Sequence, residues 1–243
     1  MNQVDNQIML ENLLIKPASS DQDIATYLVM NNAHLLPQDF FLSGSEISNQ
    51  FPTIFFKGNS ELLRRTCVSV VGTRNPTQEG AARARRVTAV LNELGVVVVS
   101  GLAKGIDTIA HKTALEQNGS TVAVLGTPIH KIYPAENKTL AMEIENKGLL
   151  LSPSLPHEEK GQFLFPRRNR LMALLSMATI IVEAGETSGV VHQAAECLKQ
   201  GRKLFLLKSL VDNKALTWPA KFIKSGAQVV ESPEELKGLL AQY

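Results

Sequence analysis

Ser69-Val70-Val71-Gly72-Thr73-Arg74-Asn75-Pro76-Thr77 is the stretch on which the reading of this chain turns. A β-branched apolar run ends on a glycine, an arginine follows two residues later, and a helix start comes directly after. Gly72 has no Cβ, so the backbone is free to turn sharply off the strand. Pro76 suits the first turn of a helix and Thr77 is a good cap. The free N–H groups of such a helix point back at the glycine loop and favour an anion. Arg74 adds a permanent charge whose planar fork matches phosphate. The first expectation is a phosphate-binding strand–loop–helix.

Outward from this stretch the pattern is regular. Apolar runs read as buried strands at 67–71, 95–100, 121–125, 149–151, 179–183 and 203–207, with a last one near 227–230. Between them lie stretches of helical length. The first runs from Thr77 to Leu94 with Ala84, Val87, Leu91 and Leu94 at helical spacing; others fall at about 107–118, 135–147, 168–177, 188–200 and 233–241. Strands that are apolar throughout and alternate with helices predict an α/β fold, an extended Rossmann-like, mainly parallel sheet with helices on both faces. In such sheets ligands bind at the carboxyl ends of the strands, near the switch point. Residues 51–63 read as a short strand and turn packed on this body. Residues 1–50 are expected to form a separate helical or partly ordered extension, so the chain divides into 1–50 and a Rossmann-like domain at 51–243.

Several loops then collect at one edge. The second strand ends in Ser100-Gly101-Leu102-Ala103-Lys104-Gly105-Ile106-Asp107, where the glycines allow close backbone approach and Asp107 or Thr108 is placed to cap the next helix. The fourth leads into Lys160-Gly161-Gln162-Phe163-Leu164-Phe165-Pro166-Arg167-Arg168-Asn169-Arg170, and the fifth into Glu183-Ala184-Gly185-Glu186-Thr187-Ser188-Gly189. Arg74, Lys104, Lys160 and the cluster 167–170 therefore form an expected basic pocket. Phe163 and Phe165 stand beside the cations, the usual combination for stacking bases of single-stranded nucleic acid. Arg83, Arg85 and Arg86 read as a solvated helix face, and His111 as a buried structural histidine.

Other chemistries fit less well. The dinucleotide fingerprint Gly-x-Gly-x-x-Gly and the P-loop are missing. No nucleophile elbow occurs, and the histidines and Cys67 and Cys197 show no metal spacing. No cofactor or metal is expected. Glu183 at a strand end is the one carboxylate placed where a hydrolase would want it. A nucleotide-cleaving enzyme of the phosphoribohydrolase type, or a nucleotide sensor, thus stays open as an alternative. The phosphoribohydrolase signature Pro-Gly-Gly-x-Gly-Thr is absent: residues 183–189 read Glu-Ala-Gly-Glu-Thr-Ser-Gly.

The bulk numbers set the frame. The chain has 243 residues, 44% hydrophobic, and a net charge of only +2. Its distribution says more: residues 1–63 hold two basic groups against seven acidic ones, and residues 64–243 hold 23 basic against 16 acidic. An acidic lead-in and a basic body behave as different units. Apolar runs such as Val96-Val97-Val98-Val99 are too short to span a bilayer, and Met1-Asn2-Gln3-Val4-Asp5 lacks the character of a signal peptide. The expectation is a cytoplasmic protein with no membrane contact.

Five motifs in order carry a resemblance. They are Val-Val-Gly-Thr-Arg-Asn-Pro-Thr (70–77), Ser-Gly-Leu-Ala-Lys-Gly-Ile-Asp-Thr-Ile-Ala-His (100–111), Ile-Tyr-Pro-Ala-Glu-Asn (132–137), Phe-Pro-Arg-Arg-Asn-Arg-Leu-Met-Ala-Leu-Leu-Ser (165–176) and Val-Glu-Ala-Gly-Glu-Thr-Ser-Gly (182–189). Together they resemble the DNA-processing protein A family, DprA/Smf, over roughly residues 51–207. The resemblance implies a non-enzymatic protein that binds single-stranded DNA, commonly as a homodimer, and helps load the RecA recombinase during natural transformation. It implies that Gly72 and Arg74, Lys104 in its glycine loop between Gly101 and Gly105, and Arg168 and Asn169 line the DNA pocket, with Lys160 the candidate for the family's upstream lysine. The chain departs from the family pattern at Val190-Val191-His192, where a small polar run is usual, and at Lys208-Ser209, where Pro-Gly is usual.

Overall fold

A computed structural model describes residues 21–37, 40–41, 46–158, 161 and 163–241. The strands are β1 (His34–Leu35), β2 (Phe55–Gly58), β3 (Cys67–Val71), β4 (Val97–Ser100), β5 (Thr121–Val124), β6 (Leu149–Ser152), β7 (Ala178–Ile181), β8 (Lys203–Leu207) and β9 (Gln228–Val230). They form one nine-stranded sheet in the order β1-β2-β6-β5-β4-β3-β7-β8-β9. From β6 to β9 all neighbours run parallel, and β1 and β2 add an antiparallel edge. The α/β class and mainly parallel sheet expected from the apolar runs are therefore present.

The helices are α1 (Asp21–Asn31), α2 (Glu46–Gln50), α3 (Gln78–Glu93), α4 (Ile106–Glu116), α5 (Lys138–Lys147), α6 (Leu164–Leu175), α7 (Val190–Lys199), α8 (Lys208–Val211), α9 (Trp218–Lys224) and α10 (Leu236–Leu240). Sheet residues alternate between two cores. Val68, Val70, Val98, Ile180 and Phe205 join Ala84, Val87 and Leu91 of α3 and Ala110 and Ala114 of α4. Val71, Val97, Val99, Leu204 and Leu206 point the other way, to Leu171 and Met172 of α6 and Ala194 and Cys197 of α7. Both faces are buried, so the strands are apolar at every position. Burying one side chain such as Phe205 stabilises by about 1.5–3 kcal/mol.

The helix α3 shows how the sequence writes its own ends. Thr77 caps it, with Oγ1 accepting from the Gly80 N–H at 2.9 Å. Gly95 stops it with φ +69°, and the Val96 N–H returns to the Leu91 carbonyl at 3.0 Å. That is the glycine-terminated helix end in which the left-handed residue costs no Cβ clash.

Two boundaries differ from expectation. α6 begins at Leu164 rather than 168, so Phe165 and Arg167 to Arg170 all lie in its first two turns. The apolar spacing of Leu164, Leu171 and Met172 extends the helix back through Pro166, which sits in the first turn where it needs no N–H partner. α8 and α9 lie between the apolar runs at 203–207 and 227–230, outside the expected helices; α9 forms because Trp218 and Phe222, one turn apart, stack edge to face at 5.9 Å and bury together. Within the first fifty residues, α1 packs on the body: Ile24 is buried and Tyr27 meets Phe55 edge to face at 5.6 Å. β1 pairs with β2, His34 opposite Phe56.

Candidate functional site

The sheet order reverses between β3 and β7, so their carboxyl ends open a crevice. The loop after β3 is fixed by backbone on both sides. The Thr73 N–H donates to the Glu183 carbonyl at 2.7 Å, and the Ile106 N–H donates to the Thr73 carbonyl at 3.2 Å. A Cβ on Gly72 would stand 2.4 Å from Ile106 Cγ1, and one on Gly105 2.3 Å from the Thr73 oxygen. Gly105 also has φ +75°. The glycines of 72 and 105 thus let two loops close on each other and hold Arg74 at the rim, where it is exposed.

The start of α3 is not the anion site that the sequence suggests. Glu183 already occupies it. Its carboxylate accepts from the Thr77 N–H at 2.9 Å, from Thr77 Oγ1 at 2.7 Å and from Arg83 Nη2 at 3.2 Å. A Cβ on Gly80 would fall 1.8 Å from Glu183 Oε2. The helix dipole is satisfied by the chain's own charge. Arg83 is a partner of this carboxylate and not part of a solvated face. Glu183 is likewise held by four atoms of structure, counting the alignment of its own carbonyl with Thr73.

The start of α4 repeats the device. Gly105, not Asp107, stands at the N-cap. Asp107 is buried and turns back to its own loop: Oδ2 accepts from the Gly101 N–H at 3.2 Å and the Ala103 N–H at 3.3 Å, with Arg168 Nη1 at 3.9 Å. Burial pushes the Asp107 carboxyl up from its ordinary range, while Arg168 and the two N–H groups hold it back. Arg168 is 8% exposed. Burial draws its pKa down, Asp107 opposes this, and the like charge of Arg74 adds to it. Two cations that disfavour each other across a crevice are relieved by an anion between them.

Gly101 is explained by Arg168, since a Cβ there would lie 1.1 Å from Arg168 Nη1. One turn beyond Asp107, His111 is fully buried, as expected. Its Nδ1 lies 2.7 Å from Thr121 Oγ1, and Thr121 itself donates to the Val98 carbonyl at 2.9 Å. Nδ1 therefore carries the proton. Burial, helped by Arg168, pushes the His111 pKa down to about 3.

Aromatic groups complete the edge. Phe165 lies over Gly126, where a Cβ would come within 2.7 Å of its ring. The Arg168 guanidinium carbon is 5.9 Å from the Phe165 ring centroid, at the outer reach of a cation–π contact. Tyr133 meets Phe165 edge to face at 6.2 Å. Both rings stay open to solvent, Phe165 38% and Tyr133 53% exposed, as is Phe163 at 72%.

A cleft of about 540 Å³ lies at the switch point. It brings together Gly72, Arg74, Phe165, Arg168 and Asn169 with Ser188, Gly189 and Gln193. A smaller recess beside it adds Gly101, Lys104 and Tyr133. The other expected residues fall elsewhere. Gly105 packs behind the loop after β3. Arg167 pairs with Glu158 at 3.1 Å and Arg170 with Glu196 at 2.9 Å, neither lining the cleft. Phe163 caps α6 outside it, and Lys160 lies outside the described residues. Lys104 reaches Glu136 at 2.8 Å, both side chains half exposed. Of these cations Arg74 alone has no ion pair among the described residues. Tyr133 and Gln193 were not singled out from sequence. Tyr133 had a signal, an aromatic beside a proline in a strand-end loop; Gln193 had none.

No helix among the described residues is long and apolar enough to cross a membrane. The chain is 39% identical over 193 residues to the DNA processing protein DprA of Streptococcus pneumoniae, covering 79% of this chain and 68% of that protein. It is 34% identical to Protein Smf of Escherichia coli, covering 90% of this chain and 60% of that one. The chain thus spans only about two thirds of these relatives. The X-ray structure of the Streptococcus pneumoniae protein superposes with a TM-score of 0.77 at 32% identity, over 90% of this chain and 78% of that one. DNA processing protein A of Helicobacter pylori, whose structure was described for its single-stranded DNA binding mode, gives 0.73 at 26% identity, over 87% of this chain and 97% of that one. With the family model for DNA recombination-mediator protein A matching residues 35–240 as well, this chain belongs to the DNA recombination-mediator protein A family.

Proposed function

We propose that this protein binds single-stranded DNA along the switch-point edge, by its backbone phosphates and by stacking, and performs no chemistry on it. The observation that carries this reading is Arg74: exposed, without an ion pair among the described residues, and set in one cleft with the buried Arg168 and the open ring of Phe165. An unpaired guanidinium above a buried one invites a phosphate. The exposed rings of Phe165 and Tyr133 give bases a surface to stack on, which is sequence-tolerant because every base has a π-face. Glu183, on which a hydrolase reading rests, is engaged by Thr77 and Arg83. Family membership supports the wider role: a homodimer that protects single strands in recombination and transformation and hands them to the RecA recombinase.

Anisotropy of labelled oligo-dT against duplex of equal length, at two salt concentrations, tests the reading. Single strands bind tighter, and affinity falls steeply with salt as counterions are released. Arg74→Ala weakens binding roughly tenfold, equally across sequences, and lowers the salt slope by about 0.7. Equal binding of Arg74→Ala and parent at both salts would sink the pocket assignment.

A further inference from the structure

Residues 185–189 form one wall of the cleft, and they are held differently from the other loops at this edge. The wall runs between two buried residues, Ala184 and Val190. Gly185, Thr187, Ser188 and Gly189 line the cleft, and Glu186 alone of the five does not. A Cβ on Gly185 or Gly189 would meet nothing within 4 Å, so packing does not fix the backbone at these two permissive positions. The remaining hydrogen bonds are short-range: the Ser188 N–H donates to the Gly185 carbonyl at 3.3 Å, and the His192 N–H to the Gly189 carbonyl at 3.2 Å. Among the described residues, the only hydrogen bonds that tie 185–189 to anything beyond the first turn of α7 are those of Glu186.

Glu186 reaches away from the cleft to the start of α9. One carboxylate oxygen accepts from the Thr217 N–H at 2.8 Å and the other from the Thr217 hydroxyl. That hydroxyl, and after it the N–H, holds the Glu186 carboxyl below the ordinary carboxylate range. The support is firm, because Trp218 and Phe222 bury the next turn of α9 in the core. β7 and β8 are parallel neighbours, so the segments leaving their carboxyl ends, 182–189 and 208–217, start side by side. Glu186 is exposed and has no ion pair among the described residues. A carboxylate beside a cleft for a polyanion opposes binding, so its presence there calls for a reason. What it supplies is two strong acceptors, and Thr217 uses both.

We infer that Glu186 is a positioning residue for strand binding: by fastening on Thr217 it holds the wall 185–189 in the shape that meets the DNA. This rests on the single-stranded DNA reading and adds to it a residue that acts from outside the cleft. A wall that takes the fitting shape only part of the time lowers the apparent affinity by that fraction. With two open glycines and no other bond to the body, this wall has the freedom to do so once the tie is cut. The tie also makes the start of α9, 31 residues further along the chain, part of what sets the cleft.

The test measures oligo-dT affinity of the full chain by anisotropy, at a salt concentration high enough to screen a single exposed charge. Glu186→Ala weakens binding roughly fivefold, as for a wall that fits about a fifth of the time. Thr217→Val weakens it part of the way, since the N–H remains, and Thr217→Ser, which keeps the hydroxyl, binds like the parent. In the Glu186→Ala background Thr217→Val has no further effect, because the two residues act through one contact. All variants melt close to the parent, as both positions are exposed, so the loss is not misfolding. Tighter binding by Glu186→Ala means that the carboxylate only repels the strand, and overturns the inference; so do losses that simply add in the double variant. Arg74→Ala is measured alongside. If it weakens binding and the tie variants do not, the DNA reading stands and only the role of Glu186 falls. If it binds like the parent too, the DNA reading itself fails.

Discussion

The starts of α3 and α7 flank the switch point and hold the same topological position, yet they are filled in opposite ways. At α3, Thr77 caps the helix and the Glu183 carboxylate takes the N–H and hydroxyl of Thr77, with Arg83 beside it. At α7 there is no side-chain cap, no acid in the first turn, and a cleft in front. A glycine loop before a helix is therefore not enough to make an anion site. The positive end of a helix is available to a ligand only where the chain has not already spent it on its own carboxylate. α4 belongs with α3, since Asp107 fills its loop as Glu183 fills the other.

Four substitutions or conditions would break or sharpen this contrast. The largest effect is expected from Asp107→Ala. It leaves Arg168 buried without a counter-charge and two loop N–H groups unpaired, at about 3–5 kcal/mol of stability. Urea unfolding measures it; a loss below about 1 kcal/mol would mean that the α4 start is not held by this carboxylate. Next is acid sensitivity on the same sealed side. His111 titrates at about 3 in the fold and near 6.5 in the unfolded chain. Between those values the unfolded state binds the extra proton, so stability falls as pH is lowered through this window, by up to about 1.4 kcal/mol per unit. His111→Gln flattens that part of the stability–pH curve, and a curve of unchanged slope refutes the assignment.

Glu183→Gln follows, at about 1–3 kcal/mol, because one of the two acceptor oxygens that serve Thr77 and Arg83 becomes an NH2 group facing a donor. If the variant also gains affinity for inorganic phosphate, the start of α3 is a latent anion site that the carboxylate blocks. The smallest effect is Gly189→Asp, which makes α7 resemble α3. A Cβ at Gly189 meets nothing within 4 Å, so the side chain fits. An acid there stabilises the helix by about 0.3–1 kcal/mol and weakens oligo-dT. A variant that is more stable and binds DNA as well as the parent would show that the α7 start takes no part in the site.

Much of this was legible in the sequence because it is local. The apolar runs place seven of the strands to within about two residues, and Thr77 and Leu94 are read correctly as the limits of α3. Gly72, Gly101 and Gly105 are recognisable as points of close approach. The charges misled for a physical reason. Lys104, Arg167 and Arg170 look alike as free cations, but their partners Glu136, Glu158 and Glu196 come from other segments of the chain. Phe165 and Arg168 were placed near one another by their spacing. That Arg168 is buried against Gly101, and that the open ring of Phe165 lies over Gly126, depends on loops far away in sequence.

By itself the sequence determined the alternation of strand and helix, the sheet class, and the set of loops that gather at one edge. These follow from periodicity and from backbone freedom, which act over a few residues. Tertiary structure alone decided which charges remain available. Glu183 reaches Thr77 across 106 residues to close one helix start, Arg168 and Asp107 neutralise each other in the interior, and Arg74 is left exposed at the rim. Charge is a property of each residue, but its availability depends on what the fold brings within about 4 Å of it.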